Sequence, residues 1–470
     1  MDYAPRLFIS APRHFEWVET NRFAGGCAPP TPAPLAAEAF GGNLFWSADG
    51  GRREWKDAAS SCKFVSPMDA NTLFSQALGL GSGWKVVNSE MDVAGRQLRL
   101  WLDFEPGSQF ACPECGDFCP VHDTVEKKWR HLDFWQHRTE LVARVPRALC
   151  PEHGVRQAEV PWARPGSGFT LMMEAMVLLL CQQMSVSAAA RHLGESDKRL
   201  WRVTDHYVTK AHAAKSWRNV KRIMIDETSA KRGHRYVTVI LDADTHDLLL
   251  MVEGRSAQAV AQFAAAMPAH GATPELITEV VMDMSPAFIA GVQSHFPQAR
   301  IVFDLFHIMK LAGDALDRVR KDLRRQGADL TGSLWSIRGN EWTRTEEQLA
   351  QRKAMAKSYP ILGRALALRD TLQDVLKDGD LPSIKWWLGW ADRSRLQPFR
   401  KLSRTLKEHF HGILAYLETR LTNAAIEAVN GLLQMAKRMA RGFRNFHYFR
   451  LAAYLKAGRL NLDVPHILPT

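Results

Sequence analysis

Two short apolar runs, each closed by an aspartate, constrain this chain most: Ile223-Met224-Ile225-Asp226 and Val280-Val281-Met282-Asp283. Apolar runs of this kind read as strands buried on both faces of a sheet. A carboxylate is costly at the end of such a strand, because burial penalises its charged form unless a cation or hydrogen-bond donors answer it. The plainer reading is a cap: Asp at a strand end often closes a turn or opens the next helix. A third acid, Glu427, stands in a stretch of helical spacing otherwise loaded with Arg and Lys.

Together, two strand-end Asp and a Glu on a later helix form the ligand set that two-metal phosphoryl transfer on nucleic acid requires. Hard divalent cations, Mg²⁺ or Mn²⁺, take oxygen ligands, and a pair about 3.5–4 Å apart clamps the attacking and leaving oxygens. A nuclease or transposase is therefore the leading class, with Asp226, Asp283 and Glu427 as catalytic metal ligands. Around the helical period Asn423, Glu427, Asn430, Gln434, Arg438 and Arg441 share one face, opposite Ile426, Val429, Leu432, Leu433, Ala436 and Met439. The helix is expected to end near Gly442. An acid leading a basic stripe can hold a metal while Lys437, Arg438 and Arg441 grip phosphates. A solvated charged face is the bland alternative. Asp304 and His307, in Val302-Phe303-Asp304-Leu305-Phe306-His307, are auxiliary candidates or hold the sheet edge; Asn423 and Asn430 are further auxiliaries. Glu227 competes with Asp226 as a ligand, although pleat alternation points it to the opposite face.

A net charge of +11 across 470 residues points to an acidic polymer as partner, most clearly where basic residues dominate from Arg393 to Arg459. The most apolar stretch, Leu171 to Cys181, is too short to cross a membrane and contains Glu174. The opening residues do not show the basic-then-apolar pattern expected of a signal peptide. Seven cysteines, an odd number, do not suit a secreted disulfide framework, so a reduced cytoplasm is expected.

The chain divides by composition into a multidomain α+β protein. Residues 1–67 are rich in Gly and Pro without a sustained period, and are expected to be disordered or an upstream extension preceding a start at Met68. Phe8, Phe15, Trp17, Phe45 and Trp46 leave a small folded unit open. Residues 68–165 form a strand-rich module holding Cys112-Pro-Glu-Cys115-Gly and Cys150-Pro-Glu-His153-Gly. Two such knuckles converge four ligands on one tetrahedral structural zinc. Incidental thiols are the alternative, and Cys119, His122 and His131 compete for the fourth position.

Residues 166–215 read as a helix-turn-helix: a first helix from Ser185 to a Gly194 stop, then a second opened by Ser196 as N-cap. Leu200, Val203 and Tyr207 would pack inward, leaving Lys198, Arg199 and Arg202 for DNA, or for water in a plain helical hairpin. Residues 221–462 run strand, hairpin, helix, strand, helix, strand, the order of a ribonuclease H-like α/β sheet. An all-helical insertion, about 311–422, precedes the helix carrying Glu427.

With these residues in place, the chain from Met68 to about Leu462 resembles the bacterial insertion-sequence transposases of the ISL-three family, a DDE-type group. The matching stretches are the two knuckles, Ile225-Asp226-Glu227, Val281-Met282-Asp283-Met284-Ser285, and Phe303-Asp304-Leu305-Phe306-His307. They continue with Thr422-Asn423 through Glu427 to Asn430, and Arg441-Gly442-Phe443-Arg444-Asn445-Phe446. His153 stands where that family often has a fourth Cys, and residues 1–67 have no counterpart. The resemblance implies cleavage at the element's terminal inverted repeats, then attack of the freed 3′-hydroxyl on target DNA. Double-stranded DNA would be the partner, with a homo-oligomer assembling on it in the bacterial cytoplasm at the nucleoid. A catalytically silent DNA-binding regulator derived from a transposase is the alternative.

Overall fold

The computed structural model describes residues 69–465 apart from 82, 232–234 and 338–344, so the expectation for residues 1–67 falls outside them. The first region opens with α1 (Ala70–Ala77) and β1 (Trp84–Asp92), β2 (Gln97–Phe104), β3 (Gln109–Ala111), β4 (Phe118–Arg130), β5 (Arg138–Cys150) and β6 (Gly154–Gln157). The strands order as β1-β2-β5-β4-β3, with β6 added to β5. Leu98, Leu100 and Leu102 alternate inward along β2 and meet Leu141, Ala143 and Val145 of β5 in one core. Trp84 and Trp129 close that core edge-on against Trp162.

Three helices follow: α2 (Leu171–Gln183), α3 (Val186–Leu193) and α4 (Asp197–Ala214). The Ser185 hydroxyl accepts the Ala188 amide at the start of α3, and Gly194 ends it at φ 64°, a left-handed position suited to Gly. Ser196 holds the N-cap position of α4 but makes no side-chain capping bond, in contrast to the sequence expectation. Leu200, Val203 and Tyr207 are buried, as their spacing predicts. Two buried glutamates tie these helices to the strand module. Glu195 meets Arg130, Arg138 and Arg199, while Glu174 meets Arg164, Ser167 and the Tyr207 hydroxyl.

The second sheet comprises β7 (Arg222–Lys231), β8 (Arg235–Asp242), β9 (Leu248–Glu253), β10 (Glu279–Met282) and β11 (Arg300–Phe303), ordered β11-β10-β7-β8-β9. β7, β8 and β9 run antiparallel, whereas β10 and β11 lie parallel to β7. α5 (Ala257–Ala266) and α6 (Pro286–His295) cover one face through Phe263, Phe288 and Phe296. Then come α7 (Leu305–Arg325), α8 (Leu334–Ile337), α9 (Glu346–Ser358), α10 (Pro360–Asp378), α11 (Leu381–Arg393), α12 (Gln397–Glu408) and α13 (Phe410–Thr419). These helices enclose a core of their own around Trp387, Leu368 and Phe399. The chain returns to the sheet as α14 (Ala424–Met439) and α15 (Phe446–Ala457).

The other sheet face carries one continuous apolar cluster that includes Val177 and Val203 of the three-helix region, Val239 and Met251 of the sheet, and Leu433 and Phe449 of the last two helices. The segment joining α4 to β7 buries Trp217 completely and stacks it 3.7 Å from His270. The helix-turn-helix candidate is thus packed into the same core as the sheet.

Candidate active site and metal centre

The sheet register sets the acids side by side. β10 pairs with β11 up to Met282↔Phe303, so its next residue, Asp283, falls level with Asp304. β10 pairs with β7 as far as Val281↔Met224, and two residues on, Asp283 falls level with Asp226. Asp226 is not at a strand end as expected from its apolar run: β7 continues to Lys231, held by β8. Its exposure comes from the other side, where β10 stops. Both sequence-selected Asp therefore open onto the cleft where parallel pairing ends, the usual place for sites in open α/β sheets.

Glu427 reaches this cleft from the first turn of α14. The helix lies across β7 through polar contacts. Asn430 Nδ2 donates to Asp226 Oδ2 at 2.8 Å, and Gln434 Nε2 donates to Thr228 Oγ1 and the Ser229 carbonyl. Lys437 Nζ donates to the same carbonyl at 2.5 Å, so this expected phosphate ligand is spent on the protein's own backbone. Arg438 and Arg441 are exposed. α14 stops at Met439, three residues before Gly442, and Met439 is 44 % exposed rather than inward. Asn430→Ala is expected to slow any reaction at Asp226 about 10- to 100-fold while duplex binding holds, since only one charge-assisted hydrogen bond is lost. Single-turnover rates beside binding isotherms check it; equal losses in both would contradict it.

The acids feel one another. Burial foremost, then Asp283 and Asp304, push the Asp226 carboxyl above the usual range, against the Glu227 amide and His307. Burial, followed by Asp304 and Asp226, raises Glu427 in the same direction. Glu227, which pleat alternation sets on the far face, is also in the group: burial and then Asp283 push it up to about 7. His307 is drawn upward by its hydrogen bond to Asp304, Nδ1 to Oδ2 at 2.9 Å. Asp304 is buried and takes the Asn423 amide on Oδ1 at 3.4 Å. Asn423 is buried too, and among the described residues neither of its side-chain polar atoms has a partner; nor does Asn430 Oδ1. Crowded carboxylates and orphaned oxygens suit a hard divalent cation.

Cys112, Cys115, Cys150 and His153 form the tight cluster, their ligand atoms all within 4.8 Å of one another. Cys115 Sγ lies 3.7 Å from Cys150 Sγ, and Cys150 Sγ 3.5 Å from His153 Nδ1. A tetrahedral zinc with its usual bond lengths has edges of about 3.7 Å between sulfurs and about 3.6 Å from sulfur to nitrogen. The donors fit. The acids are not gathered as tightly as this sulfur cluster. Among the competitors, Cys119 turns its thiol to the Asp117 carbonyl, His122 lies by Asp123, and His131 bonds Thr170.

On α4, Lys198 and Arg202 are exposed. Arg199 is not free for DNA: it pairs with Glu195, donates to the Gly168 carbonyl at 3.0 Å and lies 3.9 Å over the Phe169 ring. Trp201, half-buried, stacks on Tyr448 of α15 at 4.3 Å.

A sheet presenting level acids, a helical pair ahead of it and a cysteine–histidine cluster stand in the order the sequence motifs lead one to expect. Residues 223–453 match the family described as Transposase; 158–208 match the helix-turn-helix domain of transposase family ISL3, and 108–153 the zinc-finger of transposase IS204/IS1001/IS1096/IS1165. The chain belongs to the ISL3 transposase family. It is 28% identical over 417 residues to the transposase for insertion sequence element IS1557 of Mycobacterium tuberculosis, covering 79% of this chain and 92% of that one. With the transposase for insertion sequence element IS1001 of Bordetella parapertussis it shares 28% over 394 residues, covering 80% and 96%. Among the described residues no helix is long and apolar enough to cross a membrane.

Proposed function

We propose that this protein binds the terminal inverted repeats of its insertion sequence, and that Asp226, Asp283 and Glu427 serve metal-dependent strand cleavage and strand transfer. One observation carries the reading: Asp226, Asp283 and Asp304 stand level across three neighbouring parallel strands, with Glu427 electrostatically coupled to two of them. The strand order, with the first strand central and the hairpin to one side, supports a ribonuclease H-like core into which the helices of about 311–422 are inserted.

Asp226, Asp283 and Glu427 would hold Mg²⁺ or Mn²⁺. Bound there, the divalent cation supplies a nucleophilic oxygen at neutral pH and neutralises charge on the phosphate. Asn430 orients Asp226 from one side, and the Glu227 amide holds its Oδ1 at 2.7 Å from the other. The Ser285 amide fixes Asp283 Oδ1 at 3.0 Å. His307, held by Asp304, offers a ring nitrogen at the rim for a phosphate oxygen. Cys112, Cys115, Cys150 and His153 would hold a structural zinc, and Lys198 and Arg202 on α4 would face DNA. Joining two ends calls for a homo-oligomer on DNA, at work in the bacterial cytoplasm.

The test is a labelled duplex carrying the element's terminal repeat, incubated with the full chain and Mg²⁺. Nicking at the repeat end, abolished by chelator, is expected. Repeat binding without nicking in either Mg²⁺ or Mn²⁺ would move the protein to the regulator class.

A further inference from the structure

We propose that the cleft between α7 and α12, in the helical region, is a track for the phosphate backbone of duplex DNA; this rests on the function proposed above. The cleft encloses about 1140 Å³, and its walls include Arg318, Lys321 and Arg325 of α7 and Arg400, Lys401 and Arg404 of α12. Three acids also line it, but Asp317 pairs with Lys321 at 2.9 Å and Asp322 with Arg325 at 3.0 Å. Arg318, Arg400, Lys401 and Arg404 are all exposed; none forms a hydrogen bond or close ion pair among the described residues, although Arg400 lies near enough to Asp392, which Lys407 already pairs, to help hold that carboxyl low. Asp314 is the one remaining acid in the lining, so the unmatched charge is strongly positive.

A lone basic helix face is usually just solvated. Here two helices turn unmatched cations towards one another across a cleft, which costs repulsion that an anion relieves. The apolar faces explain why the helices cannot rotate away: Phe399, Leu402 and Leu406 anchor α12, and Leu316, Val319 and Leu323 anchor α7.

The position matters as much as the charge. On α7, His307, Leu311, Asp314, Arg318, Lys321 and Arg325 follow one another at three- or four-residue steps, so they share one helix face. That face starts beside Asp304 at the acidic cleft. From Leu311 to Arg325 it extends about 21 Å at 1.5 Å per residue, the length of roughly six base steps. A duplex engaged at the acids would lie along it, with flanking phosphates between the two basic walls. Such contacts position DNA without reading its sequence.

The test is fluorescence anisotropy of the full chain on a random-sequence duplex across a salt series. Arg318, Arg400, Lys401 and Arg404 are all changed to Gln in one variant, and the three arginines to Lys in a second. Because these side chains are exposed and make no close ion pair, both variants are expected to fold as wild type. The Gln variant is expected to bind at least about 10-fold more weakly near physiological salt, with a salt slope shallower by about 2–4, and the Lys variant within about threefold of wild type. Wild-type affinity and slope in the Gln variant would overturn the track and leave the proposed function standing. Equal weakening in both variants would also overturn it, since charge would not be what matters. Failure of the wild type to bind any duplex would overturn both.

Discussion

Asp283→Asn is expected to lower strand cleavage at least about a thousandfold while duplex binding stays within about threefold. The substitution keeps the shape of the side chain and its acceptance of the Ser285 amide, so the loop after β10 has no reason to move. What disappears is the negative charge that, on the function proposed, would draw a divalent cation into the cleft. The phosphate contacts proposed for exposed cations elsewhere would be untouched, which separates binding from chemistry. Single-turnover cleavage beside anisotropy makes the comparison. Parallel loss of binding and cleavage would instead assign Asp283 a structural part.

The second large effect concerns the knuckles. Cys150→Ala is expected to take the bound zinc from one equivalent to nearly none, and to unfold the tip formed by β3, β6 and the ends of β4 and β5. Structural zinc contributes roughly 10–16 kcal/mol of apparent binding free energy to small sites of this kind, far more than four short strands can replace. The tip has little apolar core of its own: beyond Phe110 and Ala148, its buried cluster is cysteine. The tryptophan-lined core at the other end of the same sheet, and the sheet carrying the acids, are separate clusters and should survive. His153→Cys, by contrast, should keep the metal, because thiolate replaces imidazole on a ligand set that accepts either. Metal content and amide-exchange protection over residues 109–157 measure both. Full zinc retention in Cys150→Ala would contradict the assignment.

The knuckles were legible because their ligands are local: a Cys, two residues and a second ligand on a tight turn. The acidic strands were legible for a related reason, since an unbroken apolar run closed by Asp has few places in a fold. What lay beyond reading was pairing between distant segments. Nothing near Asp226 announces that β7 runs on past it on one side only, and that depends on where β10 stops. The same limit applies to charge. Arg199 and Lys437 sit on helical faces that look solvated or ready for phosphate, yet the Gly168 and Ser229 carbonyls lie opposite them. Periodicity reports which way a side chain leaves its helix, not what waits there. β4 is hidden in the sequence because its charged residues interrupt any apolar pattern, although nine pairings with β5 hold it in place. Trp217, in the short segment between the helical pair and the sheet that no periodicity marks, is completely buried.

The most direct measurement is single-turnover cleavage of the terminal-repeat duplex by wild type, Asp283→Asn, Glu427→Gln and the double variant. If the acids act as one metal-holding unit, each single variant loses at least about a thousandfold and the double variant is no slower than the worse single. Near-wild-type cleavage by either single variant, or losses that multiply in the double, would contradict a shared site.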